Sequence, residues 1–112
     1  MKIIKILFVQ SLALALALAG FNLYAADQSI CNPDTKVALH NNGTLKSCQL
    51  KEDYAANNVQ CKIDYPVSFY ENGNLESCML SSEATLAGNN CKQDGLISFY
   101  IDGKLKSCVK RD

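Results

Sequence analysis

Six cysteines divide the chain into a repeat with a period of thirty residues. One cysteine series stands at 31, 61 and 91, and the other stands at 48, 78 and 108. Before the second cysteine the three copies read VALHNNGTLKSC, VSFYENGNLESC and ISFYIDGKLKSC. A fixed period of this size is typical of repeat architectures, in which one unit cannot bury its apolar face alone and about three units complete the core. The sequence therefore predicts three repeats, at 31–60, 61–90 and 91–112.

Each copy carries a β-hairpin signal, a glycine preceded by Asn or Asp: Gly43, Gly73 and Gly103. A two-residue turn on this dipeptide would mix apolar and polar residues on each face. A three-residue loop with a left-handed glycine instead sets Phe69 opposite Leu75 and collects the apolar residues on one face. We expect this core face to comprise Val67, Phe69, Leu75, Ser77 and Met79, with Ile97, Phe99, Leu105, Ser107, Val109 and Val37, Leu39, Leu45, Ser47, Gln49 as the equivalents. The fold class predicted is all-β, an antiparallel meander of three hairpin repeats.

The segment between the repeats also carries a turn signal. Asn58 and Gly88 occupy equal positions before the second and third units. Both residue types tolerate a left-handed backbone conformation. A shared turn is therefore predicted at these two positions.

The first 25 residues have the three parts of a secretory signal peptide. Two lysines precede an apolar run at 6–19, and a small-residue exit follows near Ala25. The run is shorter than the roughly 20 apolar residues that a membrane-spanning helix needs. We predict a cleaved signal peptide at 1–25, with Ala19 as an alternative cleavage position, and a mature domain at 26–112 without a transmembrane segment. The predicted location is the periplasm or the extracellular space.

All six cysteines lie in the predicted mature domain. An even number of cysteines in an exported chain of this size indicates disulfides, which a small core needs for stability. Zinc binding and redox catalysis normally use a C-x-x-C pair, and the sequence has none. The cysteines are therefore predicted to be structural cross-links, with no metal site.

Two disulfide connectivities agree with the repeat. In the first, each unit closes on itself, through Cys31–Cys48, Cys61–Cys78 and Cys91–Cys108. In the second, bonds join neighbouring units, through Cys48–Cys61 and Cys78–Cys91. Strand spacing in a flat meander favours the second, because next-but-one strands are too far apart for a disulfide. The position of the outermost cysteines near both ends of the mature domain favours the first, provided that each linking segment folds over the sheet. Both remain open.

Charge and side-chain chemistry argue against several functions. Loss of the two lysines in the signal peptide leaves nine basic and eleven acidic residues, which does not suit nucleic acid. The single histidine, His40, stands where the other copies have Tyr70 and Tyr100, and no acid, base and nucleophile converge in the pattern. We predict no enzyme activity and no cofactor. His40, Tyr70 and Tyr100 are expected on the second face, as possible contacts for a partner.

The repeated phrase resembles the MORN-variant repeats of bacterial proteins in the YwqK antitoxin-like group. The matching positions are Phe69, Tyr70, Asn72, Gly73, Leu75 and Phe99, Tyr100, Asp102, Gly103, Leu105. The resemblance implies hairpins joined into an elongated antiparallel sheet, a tendency toward protein or surface contacts, and no catalytic residues. The period of thirty, the paired cysteines and the signal peptide depart from that family.

These observations favour an exported module with a protein-interaction or structural role in the bacterial envelope. Its partner is expected to be another protein or an envelope component. The alternative is a small secreted effector, toxin or inhibitor, for which a disulfide-rich chain of this size is also suitable.

Overall fold

The structure, a computed structural model, describes residues 26–111. The predicted signal peptide at 1–25 lies outside the described residues. A single 3₁₀ turn at Gln28–Ile30 precedes the strands. The strands are β1 (Ala38–Leu39), β2 (Leu45–Gln49), β3 (Tyr54–Ala56), β4 (Val59–Cys61), β5 (Pro66–Phe69), β6 (Leu75–Met79), β7 (Ala84–Leu86), β8 (Asn89–Cys91), β9 (Leu96–Phe99) and β10 (Leu105–Cys108).

Six of these strands form one antiparallel main sheet in the order β1-β2-β5-β6-β9-β10. Each repeat supplies one hairpin to it, and the last strand of one repeat pairs with the first strand of the next. The predicted all-β class and the antiparallel arrangement of hairpins are confirmed. The other four strands form two separate hairpins, β3–β4 and β7–β8, which we call the covering hairpins.

The covering hairpins pack on one face of the main sheet. The ring of Tyr54 in β3 meets the ring of Phe69 in β5 edge-on, with centroids 6.3 Å apart. Val59 and Cys61 of β4 are buried in the same core as Phe69 and Cys78 of the sheet. The domain therefore has two layers, and apolar burial between them stabilises hairpins that would be marginal alone. On the opposite side of the main sheet, which we call the open face, residues 26–111 form no second layer.

The disulfides close each repeat on itself, and two of them connect a covering hairpin to the main sheet. The bonds are Cys31–Cys48, Cys61–Cys78 and Cys91–Cys108, with Cα atoms 5.6 to 5.7 Å apart. The spacing argument against this connectivity assumed that both cysteines lie in one flat sheet. Cys61 and Cys91 instead end β4 and β8, above the sheet strands that hold Cys78 and Cys108. The distance between next-but-one strands therefore does not apply.

The main hairpins turn through three-residue loops. In the middle repeat, Tyr70 N–H donates to the Asn74 carbonyl, and Gly73 N–H donates to the Tyr70 carbonyl. Phe69 lies opposite Leu75, the register that burial predicted. The loop glycines have positive φ values of 88°, 90° and 93° at Gly43, Gly73 and Gly103.

Replacing Gly103 with alanine is expected to lower the free energy of unfolding by about 1 to 2 kcal/mol. A Cβ atom at this position would meet no atom within 4 Å, so the loss would come from backbone strain alone. Chemical denaturation measures it. Gly103→Asn is the control and should lose less, because asparagine tolerates the left-handed region better. Equal stability of the alanine variant and the original protein would contradict the loop assignment.

The predicted core set is correct on the first strand of the second and third hairpins, where Val67, Phe69, Ile97 and Phe99 are buried. It is wrong for the residues beyond the leucine on the second strand of each hairpin. Phe69 pairs with Leu75, but Ser68 pairs with Ser77, so Glu76 is an extra residue that forms a β-bulge. After the bulge the alternation of faces is inverted. The same shift occurs in the other two hairpins.

The inverted alternation moves the serines and the residues after each second cysteine out of the core. Ser77 and Met79 are half-buried on the open face, whereas Cys78 and Leu80 are buried. The equivalent residues of the other repeats, which were also predicted on the core face, lie outside the core as well: Ser47, Gln49, Ser107 and Val109. Val37 and Leu105 are half-buried, and Leu39 is 45% exposed.

The covering hairpins turn through two residues that both have positive φ, as a type I′ turn requires. The first turn has Asn57 and Asn58 at 49° and 65°, and the second has Ala87 and Gly88 at 49° and 78°. The turn predicted at Asn58 and Gly88 is confirmed. Ala87 is unsuited to this conformation, because its Cβ atom crowds the following carbonyl oxygen.

Replacing Ala87 with asparagine, the residue found at the same place in the first covering hairpin, should raise the free energy of unfolding by about 0.5 to 1 kcal/mol. The expected result is a higher denaturation midpoint with an unchanged slope. Ala87→Val is the matched control and should be destabilising. An asparagine variant that is less stable than the original would exclude strain at this turn.

Candidate interaction surface

The aromatic position after each first sheet strand connects neighbouring repeats. His40 Nε2 lies 2.8 Å from the Phe69 carbonyl oxygen, and the Tyr70 hydroxyl donates to the Phe99 carbonyl at 2.7 Å. Both side chains are half-buried between repeats. Among the described residues no repeat lies beside Tyr100, which is 51% exposed, with Lys106 Nζ 5.9 Å from its ring centroid. Of the three residues predicted as partner contacts, Tyr100 is therefore the one that remains open to a partner.

Replacing Tyr70 with phenylalanine should lower the free energy of unfolding by about 1 kcal/mol, because it leaves the part-buried Phe99 carbonyl without its donor. Tyr100→Phe removes a hydroxyl that makes no hydrogen bond to a neighbouring repeat, and we expect no loss of stability in dilute solution. Thermal and chemical denaturation of the two variants measure the contrast. Equal effects would mean that the Tyr70 hydroxyl is not a connection between repeats.

The hairpin loops are also tied to one another. Asn42 Nδ2 donates to the Glu71 carbonyl at 3.2 Å, and Asn72 Nδ2 donates to the Ile101 carbonyl at the same distance. The third loop has Asp102 at this position, and a carboxylate cannot donate such a bond. The series of ties therefore ends at the third repeat.

A buried leucine joins the repeats at the base of the hairpins. Leu50 and Leu80 are 0% exposed, and each uses its backbone to bind the next repeat. Leu80 N–H donates to the Gly95 carbonyl, and the Leu80 carbonyl accepts from Asp94 N–H. The third copy has the exposed Lys110 at this position. Sequence reasoning missed these leucines, although their spacing of two from a buried cysteine is the period of a strand.

A row of small side chains crosses the open face. The pairings connect Ala38, Ser47, Ser68, Ser77, Ser98 and Ser107, one from each strand of the main sheet. The row explains the recurrent serine as a surface residue of the sheet. It is flat because no large side chain rises from it.

Large apolar residues flank this row in the third repeat. Leu96 lies on β9 and Val109 directly follows the neighbouring strand β10, and they are 53% and 47% exposed. Tyr100 stands on the other side of Ser98, and Ile101 of the adjoining loop is 56% exposed. We call Leu96, Tyr100 and Val109 the third-repeat patch. Apolar residues grouped on one exposed face are typical of interaction sites.

Two ion pairs lie on the surface of the described residues. Lys62 Nζ lies 2.6 Å from Asp94 Oδ1, and this hydrogen bond raises the pKa of Lys62. Arg111 pairs with Glu83 at 2.9 Å. Burial raises the pKa of the Tyr54 hydroxyl in the core. Among residues 26–111, no group of three His, Cys, Asp or Glu side chains is arranged to hold a metal ion.

The part of the chain that the structure describes contains no helix of the length and apolar character needed to cross a membrane. The fold and surface define a class: an all-β, antiparallel repeat protein with two layers and three disulfides, two of which join the layers. Comparison with protein-family models, curated proteins and solved structures gives no significant match.

Proposed function

We propose that this protein is an exported, non-enzymatic repeat module that binds another protein or an envelope component through the open face of its main sheet. The observation that carries the proposal is the asymmetry of the sheet. One face is buried under the covering hairpins, and the other presents a flat serine row flanked by the third-repeat patch. Two of its strands, β6 and β10, are cross-linked to the covering hairpins, so binding would cost little conformational entropy.

The disulfides support export. All six cysteines are paired, and three disulfides in a small domain suit an oxidising compartment such as the periplasm or the extracellular space. The apolar run at 6–19 supports a signal peptide in the same way.

The resemblance to MORN-variant repeats adds a second line of support for a binding role. It rests on the hairpin motif, in which the aromatic residue, glycine and leucine share a spacing with that group. We propose that this chain and that group share an architecture of joined hairpins. The cysteines and the covering hairpins are features of this chain.

Cross-linking from the open face tests the binding role. A photoreactive amino acid at position 98, in the middle of the serine row, should capture a discrete partner when the disulfide-intact protein is expressed in its own cell envelope. Leu96→Asp should abolish this product. Ile63→Asp is the matched control, because Ile63 is a 40% exposed apolar residue outside the third-repeat patch, and it should leave the product unchanged.

Cell fractionation tests the location. We expect the processed chain in the periplasm or the medium, with no thiol accessible to alkylation. Recovery of unprocessed chain with free thiols in the cytoplasm would overturn the proposal. Accumulation in the medium with an effect on other cells would favour a secreted effector, toxin or inhibitor.

A further inference from the structure

The third repeat ends in an uncovered sheet edge. Within the chain, the first strand of the next repeat pairs with the outer edge of each second strand: β5 pairs with β2, and β9 pairs with β6. No strand of the described residues covers β10. Leu105 and Cys108 are half-buried there, whereas the equivalent Leu75 and Cys78 of β6 are 2% and 1% exposed. A cleft of about 440 Å³ lies between β10 and the turn of the second covering hairpin.

Several groups that bind the next repeat are still present at this edge. The exposed Tyr100 hydroxyl corresponds to that of Tyr70, which donates to a backbone carbonyl of the following repeat. Lys92 corresponds to Lys62, whose ammonium pairs with Asp94 of the following repeat. Lys92 is exposed. The third repeat thus keeps part of the interface that joins the repeats to one another.

The first repeat has the complementary edge. In β1, Leu39 occupies the position of the buried Phe69 and Phe99 but is 45% exposed. Asp34, exposed before β1, occupies the position of Asp94. Among the described residues, β1 has a strand neighbour on one side only.

We propose that a second copy of this chain docks on the β10 edge with its own β1 edge, so that the repeat continues from one molecule into the next. The internal interfaces supply the register. Ser47 pairs with Ser68 and Ser77 pairs with Ser98, so Ser107 pairs with Ala38 of the second copy. The contact joins two different edges, which makes it heterologous and allows chains of copies to grow.

Charge complementarity specifies the partner. Repetition of the Lys62–Asp94 pair one repeat further on brings Lys92 to Asp34 of the second copy. Repetition of the tyrosine bond brings the Tyr100 hydroxyl to the Leu39 carbonyl of that copy. Both contacts join a group of the third repeat to a group of the first, as a head-to-tail contact requires.

The interface between copies is weaker than the interfaces inside the chain. Asp102 replaces the asparagine that donates to the next loop, and Lys110 replaces the buried leucine. Asp34 N–H, the counterpart of the Asp94 donor, is already bonded to Asn32 Oδ1. The association is therefore reversible and depends on concentration. It uses the sheet edges, and Tyr100 is the one residue that it shares with the third-repeat patch of the open face.

Sedimentation velocity over a concentration series tests the association. The disulfide-intact exported protein should show a weight-average mass that rises with concentration beyond that of one chain. Lys92→Asp and Asp34→Lys should each weaken association by about tenfold, because each variant places like charges together. An equimolar mixture of the two variants should associate again, since every junction between unlike copies restores an opposite pair.

Two further variants separate docking from folding. Lys46→Asp is the matched control, because it makes the same charge change on the interior strand β2 and should leave association unchanged. Tyr100→Phe should weaken association without changing the melting temperature of the dilute protein. A protein that stays monomeric to millimolar concentration overturns the proposal, and so does a variant mixture that associates no better than its components.

Discussion

Reduction of the three disulfides is expected to unfold this protein at room temperature. Each bond closes a loop with a sequence separation of 17, for which the chain-entropy model gives about 3 kcal/mol. A domain of this size has a total stability on the order of 5 kcal/mol, so loss of all three exceeds what its core supplies. Far-UV circular dichroism with and without a phosphine reductant measures the change.

Removal of one bond provides the graded control. Cys61→Ala with Cys78→Ala should cost about 3 kcal/mol or more, because both residues are buried and their removal also leaves a cavity. Cys91→Ala with Cys108→Ala opens a loop of the same length but should cost less, since Cys108 is only half-buried. A reduced protein that keeps its spectrum and its cooperative melting would show that packing alone holds the two layers together.

Replacing Leu80 with alanine is expected to lower the free energy of unfolding by about 3 kcal/mol. The side chain is 0% exposed at the junction of the second and third repeats, where its backbone also binds Asp94 and Gly95. Truncation would leave a cavity at the point where the repeats couple. Urea denaturation gives the loss, and a lower slope would show that the third repeat unfolds separately.

Two matched positions make this prediction specific. Lys110→Ala changes the same repeat position where it is exposed, and the stability should change by no more than about 0.5 kcal/mol. Met79→Ala changes the adjacent residue on the open face and should cost less than Leu80→Ala. A larger loss at Met79 than at Leu80 would contradict the bulge and restore the regular alternation.

The features that follow from local chemistry were predictable. A glycine after Asn or Asp requires a tight loop, and burial of Phe69 and Leu75 together selects a loop of three residues over one of two. The structure has this loop in all three repeats. The turn at Asn58 and Gly88 was predictable for the same reason, because both residue types accept positive φ.

The face on which the second strand buries its residues was not predictable from alternation. Glu76 is an exposed charged residue in a strand, and nothing in its identity marks it as a bulge. The bulge lets Cys78 and Leu80 face the covering hairpin, and this gain in burial exists only once that hairpin is in place. A pattern of period two carries no information about such a register shift.

The functional assignment of the aromatic position shows a similar limit. A tyrosine repeated every thirty residues was equally compatible with a partner contact and with a contact inside the sheet. The bond from Tyr70 to Phe99 depends on the next repeat lying alongside, and Tyr100 is exposed because no described repeat lies beside it. Identical motifs therefore have different surroundings at the middle and at the end of the array.

The sequence alone is enough to predict three repeats and their hairpin loops, because these features depend on neighbours along the chain. It also predicts that the cysteines form disulfides, because six of them lie in a small exported domain. Folding in three dimensions selects the cysteine partners, the buried face of each second strand and the residues left free at the edges. These depend on whether a linking hairpin lies beside the sheet or above it. That choice reflects the apolar area that Tyr54, Val59 and Cys61 bury against the strands below them.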